Sequence, residues 1–332
     1  MRASIRDVAE HAGVSPVTVS NVLRGRTGRA SSATRARVLR SARALSYVPV
    51  AGPTTQKRHV ETRVLGLVFD GTALEGRWGL PTFWGMREAA IQHDYDLLTM
   101  LRVRPDWMVD QEELQFLDRR SDGLIFIVPT RRYATLATLV KHGLPVAACF
   151  TNEVPTEVPT VMLNNANAMR QATRHLMDNG HERILFFTAQ AERSDFTERR
   201  RGFEATMKEA GLAPKVLCVQ GLAEAAYKKL LATTLKRQKI TAVVCATDTL
   251  AYAVWDIAHE IGMRVPEDIS LIGMDDLADS AARGLTSIRY SCEEVGRRTI
   301  EAIVGLMQGG VAKSVSSIVP VELVQRSSVA PP

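Results

Sequence analysis

Between Pro16 and Arg24 the chain carries side chains of the kinds that read and hold double-stranded nucleic acid. Asn21 donates and accepts at once, as a bidentate contact with adenine requires, and Val17 offers an apolar surface to a thymine methyl group. The hydroxyls of Thr18 and Ser20 suit phosphate oxygens, which fix register without reading sequence. None of these residues is acidic or bulky, although an ordinary surface helix would show Glu and Lys at such positions. A segment that enters the major groove has to avoid both. A small helical interaction module with no nucleic-acid role is the competing reading.

Three predicted helices position this run. Ser4 and Asp7 have the spacing of a capping box, followed by Ile5, Val8, Ala9 and Ala12 on one stripe. Gly13 supplies the left-handed residue that ends the first helix. Ser15-Pro16 restarts a helix at once, serine as cap and proline at the first turn. Val19, Val22 and Leu23 then face inward, while Val17, Thr18, Ser20, Asn21 and Arg24 face outward or sideways. Ser31 caps a third helix whose Val38, Leu39, Ala42 and Leu45 close the core, leaving Arg35, Arg37, Arg40 and Arg43 to solvent. Two short helices joined at a glycine, plus a third, make an all-α helix-turn-helix module over residues 1–50.

Charge supports that reading. The 332 residues carry a net +6. Residues 1–63 hold twelve Lys or Arg against Asp7, Glu10 and Glu61, a local +9, so the rest of the chain is slightly acidic. Cationic charge gathered into a small terminal module is the footprint of a polyanion binder. A chain of this length predicts two or three domains. The first fifty residues lack the apolar stretch of a signal peptide, and no window approaches a membrane span, so a cytoplasmic protein without membrane contact is expected. Cys149, Cys218, Cys245 and Cys292 lie too far apart for a zinc site or a disulfide framework and read as free thiols; no metal or cofactor is expected.

The run IRDVAEHAGVSPVTVSNVL, followed by VLRSARALSYVP, closely resembles the headpiece of the lactose/galactose/purine repressor family. The resemblance implies that the positions of Pro16, Val17 and Asn21 read bases; proline offers only apolar contact, so specificity falls to Val17 and Asn21. It also implies DNA contacts from Ser15, Ser31 and Tyr47, the last within the Tyr47-Val48-Pro49 signature. Relatives follow that signature with a hinge helix that pushes a leucine into the minor groove. Here the linker, residues 51–63, departs from the pattern: no leucine occurs between Leu45 and Leu65, and Gly52-Pro53 is a poor helix interior. Lys57 and Arg58 are expected to supply phosphate or minor-groove charge instead, with a flexible tether as the alternative.

From residue 64 to 332, apolar runs alternate with amphipathic stretches. Strands are predicted at 64–69, 96–101, 123–128, 145–150, 160–163, 183–188, 215–219, 241–246 and 269–274. Helices are predicted between them at 83–93, 133–142, 166–179, 198–210, 223–237 and 249–262. Buried βαβα alternation means parallel sheets, in two sets. The fold expected is an α/β core of two Rossmann-like lobes, the first from 64–163 and 291–326, the second from 164–290. Ligands in such sheets sit at the carboxyl ends of strands.

This region resembles the periplasmic-binding-protein-like core of the same repressor family, carried by HLMDNGHERI, ERRRGF, VPEDISLIGMDD, LTSI and PVELVQR. The resemblance implies an effector site at Asp70, Trp78, Phe83, Trp84, Ile127, Phe150, Arg199, Thr247, Asp248, Asp275 and Tyr290. Arg199 would grip hydroxyls or a carboxylate with its planar fork, and Asp275 would accept from ligand donors. For Asp248 the plainer reading is a helix N-cap, and at least one of Trp78, Phe83 and Trp84 would pack between lobes or subunits. Thr247 replaces a usual asparagine, and Ile127, Phe150 and Tyr290 stand where sugar-binding relatives often carry polar groups, so the pocket reads as more apolar than theirs.

The function these features imply is a transcriptional regulator, expected to be a repressor, binding a palindromic operator as a homodimer under a small-molecule effector, a sugar or sugar derivative. The alternative is a solute receptor of the same core fold without a DNA role. No GxGxxG follows the first strand, and no phosphate loop or nucleophilic triad is recognisable, so enzymatic activity is not expected.

Overall fold

The computed structural model describes residues 3–23, 30–45, 47, 61–70, 78–102, 116–117, 120–129, 132–189, 193–310 and 317–332, without the side chains of residues 70, 101 and 102. The amino-terminal module holds α1 (Ile5–Ala12), α2 (Pro16–Leu23) and α3 (Ser32–Ala44). Each start is fixed locally. The Ser4 backbone donates to Asp7 at 2.6 Å, and the Asp7 backbone donates to the Ser4 hydroxyl, closing the capping box. Gly13 ends α1 at φ 62°. Ser15 and Ser31 accept from the amides of Thr18 and Thr34 at the starts of α2 and α3. Val8, Ala12, Val19, Val22, Val38, Leu39 and Ala42 fill the small core, with Tyr47 beneath them.

The first lobe is built from β1 (Val64–Asp70), α4 (Gly79–Gln92), β2 (Asp96–Arg102), β3 (Gly123–Ile127), α5 (Tyr133–Lys141), β4 (Val146–Cys149) and β5 (Thr160–Leu163). The chain then enters the second lobe with α6 (Asn165–Asp178), β6 (Ile184–Thr188), α7 (Ser194–Glu209), β7 (Lys215–Cys218), α8 (Glu224–Arg237), β8 (Ala242–Cys245), α9 (Asp248–Glu260), β9 (Ser270–Met274), α10 (Ala278–Arg283) and β10 (Thr286–Arg289). It returns through α11 (Cys292–Met307) and β11 (Ser317–Val319), and ends with β12 (Glu322–Val324).

Each lobe has a six-stranded sheet, in the orders β11-β5-β4-β3-β1-β2 and β12-β10-β9-β8-β6-β7. All pairings are parallel except β10 with β12. Strands β3, β4, β5, β6, β8 and β9 are buried throughout, which is why they stand out as continuous apolar runs. The closing segment corrects the expected lobe limits: β11 joins the first sheet, but β12 and the tail belong to the second. Ser328 accepts from the Thr286 amide at 2.8 Å, and His181 bonds to the Ala330 carbonyl at 2.8 Å. The chain therefore crosses between lobes three times, near Asn164, Tyr290 and Pro320.

Helices α4 and α11 lie against each other in the first lobe with no room for side chains at the contact. A Cβ on Gly85 would come within 2.0 Å of the Glu293 carbonyl oxygen, and one on Gly296 within 2.1 Å of that of Thr82. No helix among the described residues is long and apolar enough to cross a membrane.

Candidate functional site

Helix α2 turns Val19 and Val22 into the core and leaves the opposite side open. Val17 is 66% exposed in its first turn, beside exposed Ser15 and Pro16 and part-exposed Thr18, Ser20 and Asn21. Helical spacing puts Val17, Ser20 and Asn21 on one stripe, with Thr18 at its flank. No acidic side chain lies on α2, so nothing on this face repels phosphate. Ser15 and Ser31 are occupied as caps; the Ser15 hydroxyl also bonds that of Thr18 at 2.9 Å. Tyr47, expected to contact DNA, has its ring buried in the module's core, where it is the largest apolar body available to close three short helices. Arg24, Lys57 and Arg58, with the linker from 51 to 60, lie outside the described residues.

In the core, a cavity of about 330 Å³ opens between the carboxyl ends of the two sheets. The first lobe contributes Trp78, Val128 and Phe150, with the Trp78 and Phe150 rings edge to face at 5.1 Å. Val128 and Phe150 follow β3 and β4 directly, with φ of 52° and 61°. The left-handed backbone is costly for both residue types and turns their side chains into the cavity; such strain collects at binding sites.

The second lobe contributes charge. Arg193 donates to both oxygens of Asp195 at 3.1 and 2.7 Å and stacks over Phe196. Arg199 also stacks over Phe196, at 5.1 Å from the ring centre. Its Nε donates to Asn165 at 2.9 Å and its Nη1 to the Ala246 carbonyl at 2.6 Å, which locks the guanidinium at the cavity wall. Asp275 follows β9 with φ 120° and accepts from the Tyr290 hydroxyl at 2.9 Å. Burial pushes the Asp275 carboxyl up to about 7; Arg199 and the Tyr290 hydroxyl oppose the shift, while Asp248 and Asp195 add to it. Burial likewise raises the Tyr290 hydroxyl. Across the cleft mouth, Thr151 and Ser194 bond through their hydroxyls at 3.3 Å.

Of the residues expected to line the cleft, Trp78, Phe150, Arg199, Thr247, Asp275 and Tyr290 meet there. Asp70 closes β1, and its side chain is outside the described set. Four corrections follow. Ile127 is fully buried in β3, and the cavity position belongs to the next residue, because side chains alternate along a strand. Phe83 packs on the core, and Trp84 is 46% exposed on the outer face of α4. Asp248 neither caps a helix nor touches the cavity. Thr247 caps α9 through the Leu250 amide, and the fully buried Asp248 accepts from the Leu277 amide at 2.9 Å, Ser280 at 2.5 Å and Ser287 at 2.6 Å. Burial raises its carboxyl, against those three donors. It braces the β9–α10 turn that presents Asp275, and Gly273 leaves room for it: a Cβ there would lie 2.1 Å from Asp248 Oδ1. Asp276 ties the same turn to Arg289 and Arg326, each at 2.6 Å.

Sequence reasoning missed Val128, Arg193, Asp195 and Phe196. The last three follow β6 at the start of a helix, as Thr247 follows β8. Among the described residues no group of three or more His, Cys, Asp and Glu could hold a metal ion, and all four cysteines are free.

Comparison with known proteins matches residues 4–50 to the bacterial regulatory proteins of the lacI family and residues 173–329 to the periplasmic binding protein-like domain. The chain is 30% identical over 313 residues to the HTH-type transcriptional repressor PurR of Aliivibrio fischeri, covering 91% of this chain and 90% of that protein. The structure is similar to that of the transcriptional regulator CelR in complex with cellobiose (TM-score 0.72, 24% identity, 98% and 100% of the two chains). It is also similar to the lac repressor dimer bound to operator and the anti-inducer ONPF (TM-score 0.67, 23% identity, 99% and 100%). The chain belongs to the lacI family of bacterial regulatory proteins.

Proposed function

We infer that this regulator is a repressor that lays α2 in the major groove of a palindromic operator, as a homodimer, and whose grip is set by a small molecule held between the lobes. The observation that carries the reading is the outer face of α2: Val17, Ser20 and Asn21 stand open, without acidic neighbours, on a helix fixed from its capped start. A cleft with an aromatic wall facing a charged one supports a sugar or sugar derivative as effector: a ring face would stack on Trp78, and hydroxyls would meet Arg199 and Asp275. A second copy is supported by α4, whose Leu80, Trp84 and Ile91, 54%, 46% and 61% exposed, fall on one helical stripe. Two headpieces then match two half-sites one helical turn apart.

Gel shift on the DNA upstream of the protein's own coding region tests the reading. Specific binding with a steep salt slope is expected, and equal affinity for random DNA overturns it. Asn21→Ala should relax base preference at one position by about 1–3 kcal/mol, whereas Thr18→Ala should weaken binding to all sequences alike. Matching profiles for the two variants would dissolve the division between reading and gripping residues.

A further inference from the structure

The two cations of the cleft differ in their partners. Arg193 is neutralised within hydrogen-bond distance by Asp195, which spends both oxygens on it. Arg199 is held only by neutral acceptors, the Asn165 amide oxygen and the Ala246 carbonyl, and no carboxylate among the described residues lies within ion-pair distance of it. Its remaining amino group takes no acceptor from the described residues and is not sealed from the cavity. Arg199 acts electrostatically on Asp275, which commits Oδ1 to the Tyr290 hydroxyl and leaves Oδ2 open to the cavity.

We propose that the cleft is a receptor for a small monocarboxylate, whose anionic end pairs with Arg199 while Asp275 takes up a proton from solvent and donates to the ligand, and whose apolar face lies on Trp78 and Phe150. The proposal rests on the reading of the cleft as the effector site and names its ligand class. The described part of the first-lobe wall suits an apolar face: Trp78, Val128 and Phe150 bring no side-chain donor or acceptor except the indole N–H. The charged wall explains the anion. With the Asp275 carboxyl pushed up to about 7, that carboxyl only partly balances the Arg199 guanidinium at neutral pH and does so less below it, and a second negative group beside Asp275 drives it further toward its protonated form.

The groups facing Asp275 permit this. Helix α7 brings Arg199 and Asp195, the start of α9 brings Asp248, the end of β10 brings Tyr290, and the start of α11 brings Cys292. Tyr290 is raised well above its ordinary value and the Cys292 thiol is pushed up to about 12, chiefly by burial, so both stay protonated through the neutral range. Asp195 is bound to Arg193, and Asp248 is shut away with its three donors. Among the described groups facing it, Asp275 is left as the one that exchanges a proton with the cavity.

The experiment is isothermal calorimetry and thermal shift on the full chain between about pH 5.5 and 8.5, with benzoate, shikimate and D-glucuronate as carboxylate probes and D-glucose and cellobiose as neutral ones. At least one carboxylate should bind at millimolar concentration or better. Its Kd should be flat at low pH and weaken by up to about tenfold per pH unit above 7, because the protonated fraction of Asp275 sets the apparent affinity. Asp275→Asn should flatten that profile, and Arg199→Gln should weaken carboxylate binding at least about tenfold. Calorimetry in buffers of different ionisation enthalpy should register a proton taken up on binding. A neutral sugar that binds more tightly as pH rises, with no carboxylate binding, overturns the proposal but leaves the effector reading intact. Silence from both probe classes overturns both, and operator binding by the apo chain, measured separately, is unaffected by either result.

Discussion

The two lobes are the same fold wired for opposite chemistry. Their strand orders superimpose position by position, so β4 corresponds to β9 and the residue after each occupies the same place at the cleft. In the first lobe that residue is Phe150 at φ 61°, and in the second it is Asp275 at φ 120°. Both positions carry a positive φ at the same place in the strand order, and the side chain decides whether the wall is apolar or ionisable. What the second lobe adds is a brace. Phe150 needs only neighbouring rings and β-branched side chains, while Asp275 stands on a turn tied by Asp248 and Asp276 to Ser280, Ser287, Arg289 and Arg326. A polar group at a sheet edge requires polar support behind it.

The shared framework is where the largest effects should appear, and where the equivalence is most easily broken. Gly85 of α4 and Gly202 of α7 play the same part, each letting its helix touch a neighbour's backbone; a Cβ on Gly202 would come within 2.2 Å of the Ala166 carbonyl oxygen. Gly85→Val and Gly202→Val should each cost about 3 kcal/mol or more, lowering the Tm by about 6–12 °C in a scanning calorimeter. If one variant melts like the native chain, the helix pairs of the two lobes are not equivalent. The brace comes next. Asp248→Ala strands the Leu277 amide and two serine hydroxyls and should cost about 2 kcal/mol by urea denaturation. Thr151→Ala, just after β4 of the first lobe, removes a hydroxyl that accepts from the Glu153 amide and bonds Ser194 across the cleft, and should cost about 1 kcal/mol. Equal losses from the two would mean that the second lobe's network is no more essential than the first lobe's sparse one.

Much of this was legible in the sequence, and the failures have a common cause. The headpiece follows from local rules: Ser4, Gly13, Ser15 and Ser31 act within three or four residues of themselves, so spacing alone locates the helices. The buried parallel strands announce themselves as apolar runs. Strands β10, β11 and β12 do not, since three or four residues such as Thr286–Arg289 become a strand only when neighbouring edges offer hydrogen bonds. At the cleft the errors are of one residue or one face. Ile127 and Val128 are exchanged by the alternation of a strand. Thr247 and Asp248 are both good caps, and only tertiary partners decide that threonine caps while aspartate braces. Trp84 differs from Trp78 by where α4 begins, at Gly79 and not at residue 83, which Pro81 in its first turn permits.

The smallest effect separates Phe150 from Asp275 most directly, because only one of them titrates. In the unfolded chain Asp275 loses its proton near the ordinary carboxylate value of 3.8, whereas in the folded chain it holds the proton up to about 7. Between those values the folded state binds more protons than the unfolded one, so stability falls as pH rises through that window and stays lower above it. Asn at this position carries no charge at any pH. Asp275→Asn should therefore match the native chain near pH 4 and exceed it at pH 8, by about 2–4 °C in Tm, since contact with cavity water reduces the full linkage to roughly 1 kcal/mol. Phe150→Leu, which exchanges one apolar side chain for another at the equivalent position, should lower the Tm by the same amount at both pH values. Parallel native and Asp275→Asn profiles from pH 4 to 8 would mean that the second lobe solvates its carboxylate as well as water does, and the contrast between the two walls would then be one of shape alone.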